Sequence, residues 1–179
     1  PTRAISTPSV EYTTITQCRG WLPGPIGGIV WLCWGAQDTS CFMPFYIGVT
    51  EIPKSFQVGD HWAFSRDSAR WAFDYVDFHT QVLYSYAIQD VRAAQQKWEK
   101  SAVDKTSTID QAALEIYKKD PAQARQYLTD YCLNNSSLVI NAWWNLGDQL
   151  MVKYMHFWQY DIQERKRKPL DYPEWWLRE

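Results

Sequence analysis

The feature that most constrains this chain lies in residues 39–76, where the spacing of apolar residues changes near Ser65. Residues 41–49 form an apolar run rich in aromatic side chains, which is typical of a strand. After Ser65 apolar residues recur every three or four positions, as on one face of a helix. We therefore predict an α+β fold in which a sheet portion is followed by a helical portion.

Three strands are predicted before the change of period. Residues 12–17 are rich in β-branched side chains, and residues 29–34 form a continuous apolar run between glycines. The third strand covers about residues 40–50, and Pro44 within it indicates an edge position because proline cannot donate a ladder hydrogen bond. The short connections between these strands favour an antiparallel meander.

Two long helices are predicted after the strands. Ser65 is the expected N-cap of the first, with Asp67 in its first turn, and this helix is expected to extend to about Asp104. Residues 106–108 interrupt the pattern and are expected to cap a short helix. Asp120 and Pro121 begin the second long helix. Gly147 inside that helix indicates a close helix crossing.

The composition of the chain disfavours two classes of protein. The net charge of −2 disfavours a nucleic-acid-binding protein, and no apolar run reaches the length of a membrane span. No linker or repeat is visible, so residues 1–179 are expected to form one unit. Its parts are a strand portion at about 1–60, a helical portion at about 65–160 and a tail at 161–179. Neither a cofactor nor a membrane partner is expected.

The residue types that carry chemistry form no complete catalytic set. The four cysteines lack metal-ligand spacing and are interpreted as buried thiols, although one disulfide between neighbouring strands is a second interpretation. The histidines are far apart in sequence, so no metal site is expected. Ser65 lacks a nucleophile elbow, which favours a capping role. The residues in question are Cys18, Cys33, Cys41, Cys132, His61, His79 and His156.

The order of residues in 40–76, along the third predicted strand and the start of the first predicted helix, resembles that of the PepD-like dipeptidases. These are cysteine-type N-terminal-nucleophile hydrolases related to choloylglycine hydrolase and penicillin V acylase. The resemblance extends to residues 3–6, 28–31 and 146–154. The residues that carry it are Ser40, Phe42, Pro44, Phe45, Tyr46, Gly48, Val49, Pro53, Phe64, Ser65, Asp67, Ser68, Ala69, Trp71, Ala72, Phe73, Tyr75 and Val76.

The resemblance implies an α-β-β-α sandwich and hydrolysis of dipeptides by a processed N-terminal cysteine. In the family that cysteine stands upstream of the matched residues, so we expect the nucleophile upstream of Pro1 and no catalytic residue in this chain. The chain is then the C-terminal part of the hydrolase and inactive alone. Arg3 is a candidate to bind a substrate carboxylate, with an ordinary surface arginine as the alternative.

Two partners follow from this interpretation, in addition to a dipeptide substrate. The N-terminal part of the same enzyme, joined or as a separate chain, is expected to lie near Trp31, Trp34, Phe42 and Phe45. A second copy is expected because the helices carry wide aromatic faces. The alternative function is a non-catalytic assembly module built from the helices at 65–104 and 121–159. The sequence is compatible with either a cytoplasmic or a secreted protein.

Overall fold

The computed structural model of the chain describes residues 6, 7, 9–170 and 178. Its first part is an antiparallel sheet in the order β1-β2-β3, formed by Tyr12–Cys18, Gly28–Trp34 and Met43–Tyr46. Tyr12 pairs with Trp34 across β1 and β2, and Ile29 pairs with Tyr46 across β2 and β3. The predicted meander is confirmed, and Pro44 lies on an edge strand as expected.

The connections in the sheet are short. One helical turn, α1 (Gly24–Gly27), precedes β2, and a 3₁₀ turn at Lys54–Phe56 follows β3. The third strand is shorter than predicted because residues 47–50 leave the ladder: the N–H of Thr50 donates to the hydroxyl of Thr129, 3.0 Å away. Phe56 of the 3₁₀ turn packs against Trp34 and Phe45 and covers part of the sheet.

Three helices follow, α2 (Ala69–Val82), α3 (Tyr84–Tyr117) and α4 (Pro121–Lys153). The predicted start at Ser65 is wrong, because α2 begins after Ser68, which has extended backbone angles and an uncapped hydroxyl. The predicted single helix to Asp104 is also wrong. Leu83, with φ −142° and ψ 59°, separates α2 from α3.

The predicted break at residues 106–108 is absent, since α3 continues through them to Tyr117. The start of α4 is confirmed: one carboxylate oxygen of Asp120 accepts hydrogen bonds from the N–H groups of Ala122 and Gln123. Residues 118–120 connect α3 to α4, and the ion pair of Asp90 with Lys153 joins the start of α3 to the end of α4. The two helices are therefore antiparallel.

The second long helix was predicted to extend to residue 159, which is wrong because α4 ends at Lys153. A hairpin follows, whose first strand begins in that predicted helix and whose second strand lies in the predicted tail. Strands β4 (Trp158–Asp161) and β5 (Lys166–Pro169) pair in antiparallel fashion after a 3₁₀ turn at Met155–Phe157. The fold class is thus α+β, with antiparallel strands followed by long helices. None of the helices in the described ranges has both the length and the apolar character that a membrane span requires.

One hydrophobic core joins the sheet to the helices, and its three largest fully buried side chains are Trp143 of α4, Tyr46 of β3 and Phe73 of α2. Burial increases across the sheet from β1 to β3. Six of the seven residues of β1 are exposed, whereas all four residues of β3 are buried. The helices therefore cover the β3 side. The edge of β1 that faces away from β2 pairs with none of the described residues.

Candidate functional site

Arg3, the one substrate-binding residue predicted from the sequence, lies outside the described residues. The described end of the same segment is Ser6, whose hydroxyl donates to a carboxylate oxygen of Asp38, 3.1 Å away. Asp38 lies in the turn between β2 and β3. Ser6, the described residue of the segment that resembles the family, is therefore held against this turn.

A group of polar side chains surrounds that turn. The other carboxylate oxygen of Asp38 accepts from the hydroxyl of Tyr84 at 2.9 Å, and this hydrogen bond is the main reason that the pKa of Tyr84 is raised. Thr39 donates its hydroxyl to Asp77 of α2 at 2.8 Å. We call Ser6, Asp38, Thr39, Asp77 and Tyr84 the turn cluster. Each carboxylate in it already accepts protein donors, so the cluster is suited to fixing backbone segments rather than to moving protons.

The start of β1 is anchored at the same end of the sheet. Arg70, near the beginning of α2, binds Glu11 through Nη1 at 3.0 Å and Asp74 through Nε at 2.7 Å. Gly35, at the end of β2, has φ +69°, a left-handed conformation that favours glycine, and its N–H donates to the carbonyl of Glu11. The first residues of β1 are therefore fixed while its outer edge stays open.

The four cysteines are free thiols, and three of them are buried. Burial raises the pKa of Cys33 to about 11 and that of Cys132 to about 11, and it raises the pKa of Cys41 still further. A buried thiol with a raised pKa is a poor nucleophile. The remaining thiol, Cys18, is exposed at the end of β1.

The other sequence candidates are dispersed. His61 and His156 are exposed, and His79 is half-buried between the rings of Tyr75 and Phe78, where burial lowers its pKa. Across residues 9–170 and the other described positions, no three His, Cys, Asp or Glu side chains are grouped as metal ligands would be. The hydroxyl of Ser65 accepts from the N–H of Asp67 at 3.1 Å, which is a turn-forming contact.

Sequence reasoning missed one charged group at the opposite end of the sheet. Arg19 follows β1, is only 7% exposed and forms an ion pair with Asp110 of α3. Its guanidinium also donates to the carbonyl of Ile26 at 2.6 Å, and the hydroxyl of Tyr46 donates to Asp110 at 2.7 Å. These bonds join the sheet to α3 around a buried charge. Arg19 and Asp110 are 91 positions apart in sequence, so their pairing leaves no periodic signal.

The comparison with known families applies to the part of the chain that contains these features. The model of peptidase family C69 matches residues 1–97, more than half of the 179 residues. The match spans β1, β2, β3, α2 and the first part of α3, and so includes the turn cluster and the open edge of β1. No curated protein matches the chain significantly. The chain belongs to peptidase family C69.

Proposed function

We propose that the chain is the C-terminal portion of a cysteine-type dipeptidase whose nucleophile is an N-terminal cysteine upstream of Pro1. The observation that carries this proposal is the match to peptidase family C69 over residues 1–97. The burial of Cys33, Cys41 and Cys132 supports it, since none of these thiols is suited to attack a substrate.

The resemblance to PepD-like enzymes supplies the chemistry of the proposal. The thiol of the upstream cysteine attacks the carbonyl carbon of the scissile amide, and its own α-amino group takes the thiol proton. An α-amine suits this role because its ordinary pKa lies near neutrality. The amine half of the dipeptide leaves with that proton, and water then hydrolyses the thioester that remains on the enzyme.

The described residues have a structural part in this proposal. The open edge of β1 offers unpaired backbone N–H and C=O groups on which an upstream strand of the sandwich can add. The turn cluster fixes Ser6, and Arg3 is proposed to bind the free carboxylate of the dipeptide through a bidentate ion pair. Trp31 and Trp34 of β2 are half-buried, so an additional layer can cover them further.

The experiment uses the polypeptide that includes the upstream cysteine. Replacing that cysteine by alanine is expected to lower kcat on dipeptides by about 10³-fold or more, since a nucleophile has no substitute. The matched control is Cys18→Ala, which removes the exposed thiol of this chain and should leave kcat unchanged. Loss of activity in Cys18→Ala, or full activity without the upstream cysteine, would refute the proposed nucleophile.

The proposed role of Arg3 is tested with pairs of substrates. Arg3→Ala is expected to raise KM for dipeptides with a free carboxylate and to leave KM for the same dipeptides with an amidated C-terminus unchanged. The expected increase is about tenfold or more, as for the loss of a charge-assisted hydrogen bond. Equal increases in KM for both kinds of substrate would show that Arg3 is an ordinary surface arginine that does not bind the substrate carboxylate.

A non-catalytic assembly role is the second candidate, and one observation favours it. On the side of α2 that faces away from the core, Phe78 is 66% exposed and Trp71 and Tyr75 are partly exposed. This surface is compatible with the peptidase proposal, because none of Trp71, Tyr75 and Phe78 belongs to the turn cluster.

A further inference from the structure

Three of the exposed aromatic side chains among the described residues lie on α2 and on the loop before it. Trp62 is 95% exposed, and Phe64 and Phe78 are more than half exposed. Met151 of α4 adjoins them and is also more than half exposed. Contiguous apolar surface of this kind marks an interaction site on a soluble protein.

A pocket of about 420 Å³ opens on this surface. Its walls are almost entirely apolar, because aromatic rings and the side chain of Met151 line it. The carboxylate of Asp74, which also lies at the pocket, is bound to Arg70. The side chains that line it, together with Asp74, belong to Phe64, Trp71, Tyr75, Phe78, His79 and Met151; we call it the aromatic pocket.

Trp62 stands beside the aromatic pocket on a fixed turn. Asp60 and Ala63 form an antiparallel bridge, and a carboxylate oxygen of Asp60 accepts from the N–H of Trp62 at 2.9 Å. The indole N–H of Trp71 donates to the carbonyl of Asp60 at 3.1 Å, and the ring of Phe64 packs edge-on against Trp71. Trp62 is thus an exposed aromatic knob on a fixed backbone turn, next to two walls of the pocket.

Charged side chains border this surface: Asp60 and Asp67 are exposed on either side of Trp62 and Phe64, and Arg66 lies beside Asp67. Residues 55–96 contain no lysine and no glutamate. The guanidinium of Arg66 lies 4.8 Å from the centre of the Trp144 ring and makes an ion pair with Asp148 at 2.7 Å. Enrichment in aromatic residues and arginine with depletion of lysine and glutamate is the composition of protein interfaces.

We propose that this surface is the interface of a twofold homodimer in which Trp62 of each copy occupies the aromatic pocket of the other. A knob and a pocket on one face satisfy the self-complementarity that an isologous contact requires. Trp62, Phe64, Phe78, Val82 and Met151 together expose on the order of 600 Å² of apolar surface, at about 200 Å² for a fully exposed large side chain. That area approaches the ~800 Å² per partner of a standard interface.

The test is sedimentation equilibrium of the protein over a concentration series. We expect a monomer–dimer equilibrium, and Trp62→Ala is expected to raise its Kd by about 30-fold or more, as for a central tryptophan. Phe78→Asp, which places a charge at the pocket wall, is expected to raise it at least as much. Trp21→Ala removes another tryptophan that is 79% exposed and should leave Kd within about threefold of the unmodified protein.

A photoreactive aromatic amino acid in place of Trp62 identifies the contact directly. We expect crosslinks between two polypeptides that end at residues 64–79 or 151. Circular dichroism of each variant must match that of the unmodified protein, which is expected because Trp62 has almost no contacts to lose. A monomer at every concentration, an unchanged Kd in Trp62→Ala, species larger than a dimer, or crosslinks exclusively within one polypeptide would each overturn the proposal.

Discussion

Gly147 of α4 lies directly against the ring of Tyr75 of α2, so that a Cβ at Gly147 would be 2.7 Å from Cε1 of Tyr75. Tyr75 also packs against Trp144, one turn earlier on α4, with ring centres 5.6 Å apart. The close helix crossing that Gly147 indicated in the sequence is therefore confirmed. The glycine lowers the helix propensity of α4 and in return lets two helices approach closely.

Gly147→Ala is expected to destabilise the protein although alanine is the better helix former. The gain of about 1 kcal/mol in helix propensity is smaller than the cost of moving Tyr75, which we place at about 2–3 kcal/mol. Urea denaturation should give a net loss of about 1–2 kcal/mol in the free energy of unfolding. Asn145→Ala, at an exposed position of the same helix, should change it by less than about 0.5 kcal/mol.

The buried ion pair of Arg19 and Asp110 gives a second stability prediction. Arg19→Ala leaves the carboxylate of Asp110 without its cation and is expected to lower the free energy of unfolding by about 3–5 kcal/mol. Lys100→Ala breaks an ion pair in which both side chains are more than half exposed, and it should cost less than about 1 kcal/mol. Similar losses for both variants in denaturant titrations would contradict the role assigned to Arg19.

Glu99 gives a pH-dependent prediction. Its carboxylate accepts from the N–H of Phe42 at 3.0 Å, and burial raises its pKa above the ordinary value of 4.5. The folded state therefore binds this proton more tightly than the unfolded state. The stabilisation that protonated Glu99 contributes is fully present below pH 4.5, and it is lost as the pH rises through the folded-state pKa.

Glu99→Gln keeps a hydrogen-bond acceptor and does not titrate. Its free energy of unfolding, relative to the unmodified protein, is expected to rise as the pH increases through that window and then to level off. Glu115→Gln is the control on the exposed side of α3. Its hydrogen bond with Lys118 lowers the pKa of Glu115, so the relative stability of this variant should instead fall with pH. A flat profile for Glu99→Gln would contradict the burial of its charge.

Thiol titration tests the burial of the cysteines. At pH 8 the thiols of Cys33 and Cys132, with pKa values of about 11, are ionised in roughly one molecule per thousand. We expect one thiol per chain, Cys18, to react with a disulfide reagent in the native state and four to react after unfolding. Cys18→Ala should abolish the native reaction, and rapid modification of a second thiol would contradict the structure.

The strands could be predicted from sequence because their signals are local. Thr13, Ile15 and the apolar run ending at Trp34 identify β1 and β2 within about one residue of their observed limits. The helix limits were harder, since apolar spacing continues from Val76 through the break at Leu83. The predicted break near Thr106 failed because its hydroxyl donates to the carbonyl of Ala102, one turn earlier, without interrupting α3.

Long-range features had no comparable signal. The pairing of Arg19 with Asp110 and the contact of Ser6 with Asp38 join residues that are far apart in sequence. The β4–β5 hairpin was missed because its second strand is a basic run, which is more typical of a solvated end. The family resemblance led only to Arg3, which lies outside the described residues. Asp38, Thr39, Asp77 and Tyr84 of the turn cluster were not predicted, since they form no recognisable catalytic motif.

The most direct test of the central claim is an assay of the 179-residue chain beside the polypeptide that includes the upstream cysteine, on a panel of dipeptides with and without a thiol-alkylating reagent. We expect no turnover by the chain alone. The longer polypeptide is expected to turn over dipeptides, and alkylation is expected to abolish that activity. Turnover by the chain alone that is lost on changing Cys18, Cys33, Cys41 or Cys132 to alanine would contradict this expectation, because the nucleophile would then lie within these residues.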